Sequence, residues 1–130
     1  MNTAAIRTAL ENQRIEQQWI IDRKNAELNQ IADALSGLRS AYGEIKRAST
    51  TYRQVIQGDI FLLNNSAWMA TRRIRFLEEH VTNNKRALAY YMGEIVSLCE
   101  TLEAEERRLR IDIDNAYITI ASINSNLAAL

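Results

Sequence analysis

From Leu28 onward, residues suited to a helix seam recur every three or four positions: Leu28, Ile31, Leu35, Leu38, Tyr42 and Ile45, then Ser49, Tyr52 and Ile56. This alternation places one stripe on one face of a helix and is the pattern of a coiled-coil seam. Upstream the spacing continues through Ile6, Leu10, Gln13, Gln17, Ile20 and Lys24, with fewer apolar residues and a shift of phase. The second half starts raggedly at Trp68, Phe76, Leu77 and Val81. It then settles into Leu88, Tyr91, Ile95, Leu98, Leu102, Glu105 and Leu109, and runs on through Ile113, Ala116, Ile120, Ile123, Leu127 and Leu130. Glu105, Leu109 and Ile113 are separated by two successive steps of four, which predicts a stutter and a locally straightened pairing. Gly37 and Gly43 each cost roughly 1 kcal/mol in a helix interior, a penalty that the seam around them can offset.

Between these stretches lies Gly58 to Ala70, the one compact break in a chain that contains no proline. Asn64-Asn65 is turn chemistry, and Ser66 can N-cap a following helix by accepting a bond from a free backbone N–H. The expected fold is all-α: a long antiparallel helical hairpin, a two-helix coiled-coil-like rod. Its first arm covers about residues 2–57, its turn about 58–66 and its second arm about 67–127, in a single domain. At about 1.5 Å per residue each arm would be on the order of 80 Å long. Asn83-Asn84 marks a candidate second break.

Two helices sharing one seam leave most of their surface wet, so the residues off the seam carry information about partners. Trp19, Ile20 and Ile21 are consecutive and spread over about 200° of a helix, so they cannot all meet one neighbour. Tyr90, Tyr91 and Met92 do the same on the second arm, and Ile111 adds an apolar residue off the seam of Leu109 and Ile113. Aromatic residues and methionine outside a seam are enriched at protein interfaces. The hairpin is therefore expected to be completed by oligomerisation or by a helical partner, unless a third contact within a bent or three-helix fold takes these residues.

Charge and chemistry narrow the picture by exclusion. Sixteen Lys and Arg balance sixteen Asp and Glu, so no net field favours nucleic acid or an anionic membrane. Arg72, Arg73 and Arg75 form one basic cluster, but Glu78 and Glu79 follow within a turn. The longest strictly apolar run, Ala87 to Met92, falls far short of the ~20 residues needed to cross a bilayer. Met1 to Arg7 lacks the layout of a cleaved leader, so the expected location is cytoplasmic, or secreted without a cleaved signal peptide. His80 is the single histidine, and Glu78-Glu79-His80 lacks the second His of a helical zinc motif, so a solvated helix surface is expected there. Glu103, Glu105 and Glu106 followed by Arg107, Arg108 and Arg110 suit pairing along a helix face. Cys99 is alone and fits a small apolar role in the seam beside Leu98. No catalytic group, cofactor or metal is expected.

The bend carries a Trp, in the sequence Trp68-Met69-Ala70. A Trp at a hairpin end can cover the open core with its own indole, without any partner. A proline-free helical hairpin with a Trp at its bend also resembles the WXG-motif (ESAT-like) superfamily of type VII secretion. Ala70 stands where that family's Trp-x-Gly turn has Gly, which removes the conformational freedom of the Gly but keeps a small residue. The resemblance implies a composite export signal that joins the turn Trp to a Tyr-x-x-x-Asp/Glu element. Tyr90 to Glu94 has that spacing, although it lies well inside the second arm. The length is closer to the small helical targeting or chaperone proteins associated with LXG-type toxins. What the resemblance implies is thus a non-enzymatic binding protein that packs on the N-terminal helical domain of an LXG-type toxin or on a related small helical protein. Trp68, Ala70, Trp19, Ile20, Tyr90, Met92 and Glu94 are the expected partner-binding or export-recognition residues. The alternative is a self-associating structural coiled-coil protein, a scaffold or phage component, in which homodimers pair hairpin with hairpin.

Overall fold

A computed structural model describes residues 2–64 and 70–130, the side chains of 56, 59–64 and 70–74 excepted. The chain is all-helical there: α1 runs Thr3–Asn64 and α2 runs Ala70–Ala128. The two helices pack on each other antiparallel, as a helical hairpin should. Asn2 caps α1: its Oδ1 accepts from the Ala5 N–H at 3.3 Å, and its carbonyl accepts from Ala5 and Ile6 at 3.1 and 3.2 Å. These bonds serve backbone donors that a helix start leaves unpaired.

The first helix runs further than the sequence suggested, its backbone staying helical through Gly58 to Asn64. One glycine costs about 1 kcal/mol, and the Ile60 to Leu63 run that follows continues the helix to the Asn pair. Asn65, Ser66 and Trp68 lie outside the described residues. Asn83-Asn84 does not interrupt α2. Instead Asn84 turns inward, and its Nδ2 donates to the Tyr52 hydroxyl at 2.9 Å. Gly37, Gly43 and Gly93 also lie within unbroken helix.

The contacts divide into two units, Met1–Leu35 with Thr101–Leu130, and Ser36–Glu100. The first contains every buried side chain among the described residues: Ile21, Ile31 and Leu35 from α1, and Leu109, Ile113, Ala116 and Ile123 from α2, with Ile21 and Leu109 fully buried. Ile21, Ile113 and Ala116 form one cluster, with Leu28 and Ile120 packed against it. Two polar links fix the pairing of these segments. Arg14 Nη1 donates to Asn124 Oδ1 at 3.1 Å, and Lys24 Nζ reaches Asp112 Oδ2 at 3.2 Å. A polar pair at a seam position specifies register at some cost in stability.

Here the seam differs from the expected one by a single residue. Ile21 is buried and Ile20 only half-buried, so the seam runs Gln17, Ile21, Lys24, Leu28 and joins the downstream stripe with no change of phase. In α2, Glu106 is less exposed than Glu105, with side chains 30% and 41% accessible, so Leu102, Glu106, Leu109 and Ile113 keep the three-four alternation. The stutter expected at Glu105 to Ile113 is not where the burial places it.

The Ser36–Glu100 unit has the same design with a looser interior. Leu38, Tyr42, Ile45, Ser49 and Tyr52 of α1 are half-buried, as the alternation predicted. On α2 the half-buried positions are Leu77, Val81, Asn84, Leu88, Met92, Ile95 and Cys99. Met92 replaces Tyr91 and Cys99 replaces Leu98, since Tyr91 and Leu98 are more than half exposed. The doubled step of four therefore falls on Asn84, Leu88 and Met92. No described side chain of this unit is fully buried.

Candidate functional site

The expected binding residues fall into three groups. On α1, Trp19 is 59% exposed and, being about 200° around from Gln17, points away from the seam. The Arg23 guanidinium lies 5.3 Å from the Trp19 ring centroid, and Arg23 Nε is 3.9 Å from Glu27, an exposed pair one turn on. A guanidinium at that distance from an indole centroid is attracted by the ring's face. Ile20 lies beside it, half-buried at the margin of the seam.

Tyr90, Met92 and Glu94 sit within little more than one turn of α2. Tyr90 is 65% exposed and meets Tyr91 edge to face, with centroids 5.8 Å apart. Glu94 is exposed, one turn beyond Tyr90. Met92 lies in the seam, so most of its contact is with the chain itself. Of the third group, Trp68 lies outside the described residues, and Ala70 is the first residue of α2, its side chain likewise outside them.

One arrangement was not legible in the sequence. His80 is exposed, as expected, but it stacks on Phe76 with centroids 6.1 Å apart and planes 6° from parallel. It also meets Tyr52 of α1 edge-on at 6.2 Å. With the Asn84 bond to Tyr52, this makes a small aromatic and polar junction between the helices. The four-residue spacing of Phe76 and His80 was the available signal, since such pairs are neighbours on a helix.

Ionic contacts are dense on the other unit. Arg108 donates through Nε to Glu105 at 3.0 Å and through its terminal nitrogen to the second carboxylate oxygen, a bidentate pair, and Nη1 is 3.6 Å from Asp112. The hydrogen bond from Arg108 is the main cause holding the Glu105 carboxyl below its ordinary range, with partial desolvation opposing it. Arg108 is correspondingly raised, chiefly by the same bond. Among the described residues no group of three or more His, Cys, Asp or Glu converges as metal ligands would. Nor, among them, is any helix long and apolar enough to cross a membrane. The arrangement offers exposed aromatic side chains on helical supports, which is the chemistry of contact with another protein.

Compared with known proteins, the chain matches no family, no curated protein and no solved structure.

Proposed function

We propose that this chain is a non-enzymatic helical binding protein that serves as a targeting factor or chaperone for a type VII secretion effector. The cargo in this reading is an LXG-type toxin, engaged through its N-terminal helical domain. One observation carries the binding role: Trp19 and Tyr90 are large, more than half exposed, and set opposite the seam on well-formed helices. Side chains of that kind gain free energy when a partner covers them, and Trp and Tyr dominate binding when they do. The secretion role is supported by the resemblance carried by Trp68-Met69-Ala70, with Trp68 as the recognition element at the bend.

The test is binding and export of the cargo with two variants, Trp68→Ala and the double Trp19→Ala/Tyr90→Ala. Loss of a central aromatic anchor weakens binding by ~2 kcal/mol or more, roughly thirtyfold. If both variants bind and export cargo as the parent does, the proposal fails. Self-association, the alternative reading, would cover the same exposed residues with a second copy and require no other partner.

A further inference from the structure

The two flanks of the Ser36–Glu100 unit differ in chemistry. At about 100° per residue, Ala41, Ala48 and Val55 lie about 60–100° to one side of the α1 seam. Phe76, Tyr91 and Leu98 lie about 60–120° to the same rotational side of the α2 seam. In an antiparallel pair these two flanks share one side of the layer, because reversing a helix also reverses the sense in which its residues turn. By the same angular reading Tyr52 and His80 also lie to this side of their seams, and their rings meet across it at 6.2 Å. Val55, Phe76, Tyr91 and Leu98 are all more than half exposed, so the side is apolar and open.

Charge selects the occupant. Among the described residues of this flank, Glu44 and Glu94 supply the only Asp, Glu, Lys or Arg groups, and both are exposed. The opposite flank carries Lys46, Arg53, Glu78 and Lys85 by the same angular reading. A second copy docked flank to flank would offer these glutamates no Lys or Arg among the described residues. A helix whose apolar stripe is edged by Lys or Arg would meet them with opposite charge, and such complementarity favours the right partner over like-charged competitors.

We infer that this flank is a docking site for a helix of another protein, amphipathic and with basic residues beside its apolar stripe. The inference rests on the helical-partner reading above and names the face and the partner's charge.

The experiment uses the full chain and two designed peptides of about four heptads, with Leu along the apolar stripe and either Lys or Glu beside it. Fluorescence anisotropy should show the Lys-edged peptide binding, and Tyr91→Ala/Leu98→Ala weakening it by about tenfold or more. Glu44→Lys/Glu94→Lys should weaken the Lys-edged peptide and strengthen the Glu-edged one, while Val96→Ala, on the opposite flank, should change neither. Equal binding of both peptides, or binding indifferent to the Tyr91 and Leu98 changes, overturns the inference. So does a homodimer that dissociates on those same changes, which would make the occupant a second copy. Toxin-domain binding unaltered by Tyr91→Ala/Leu98→Ala also overturns this face, yet leaves the helical-partner reading standing. A parent chain that does not bind the toxin domain at all removes that broader reading instead.

Discussion

Lys24 is the residue where seam and charge meet. It occupies a position that an apolar residue would ordinarily take, and its ammonium reaches Asp112, which Arg108 also approaches. Arg108 in turn grips Glu105, and that bond lowers the Glu105 pKa. Because the shift is downward, any stability it contributes is present above the ordinary glutamate value and is lost as pH falls through the depressed one. Both groups are solvent-exposed, so the energetic effect is small, but the titration is measurable. Side-chain NMR should find Glu105 titrating below the ordinary glutamate value and returning upward in Arg108→Ala. An unchanged Glu105 midpoint in that variant would mean that the bond has no role in the shift.

At the scale of the helix, the two units invite a direct comparison of leucines. Leu109 is 1% exposed in a unit with a buried core, whereas Leu88 is half-buried in the other. Leu109→Ala should cost about 2–5 kcal/mol, while Leu88→Ala should cost about 1–2 kcal/mol. Chemical denaturation followed by helical circular dichroism measures both. Equal losses would contradict the assignment of the tight core to the Met1–Leu35 and Thr101–Leu130 segments.

The same comparison shows what the sequence could convey. From Leu28 to Tyr52 every expected seam position is buried or half-buried, because each apolar residue there has polar or small neighbours and only one phase fits. Three departures fall where apolar residues are adjacent, Ile20 beside Ile21, Tyr91 beside Met92 and Leu98 beside Cys99, and a fourth falls on the adjacent glutamates Glu105 and Glu106. At those places two phases satisfy the alternation equally, and packing against the facing helix decides between them. Trp19 and Tyr90 were legible as off-seam residues for the same angular reason. The Tyr52, Phe76 and His80 junction was not, since it depends on which residues of two distant segments become neighbours.

For the whole molecule, helix formation and partner binding draw on one resource, apolar surface. One seam uses a single stripe of each helix, and α1 and α2 both carry large side chains beyond it. That surplus motivates the helical-partner proposal, and the acidic apolar flank of the Ser36–Glu100 unit gives the proposal a face and a charge preference. The most direct measurement is sedimentation velocity of the purified chain, alone and mixed with the N-terminal helical domain of an LXG-type toxin, the proposed cargo. The account predicts a discrete heterocomplex that Trp68→Ala and Trp19→Ala/Tyr90→Ala both weaken. A chain that sediments as the same homo-oligomer with and without the toxin domain would contradict it.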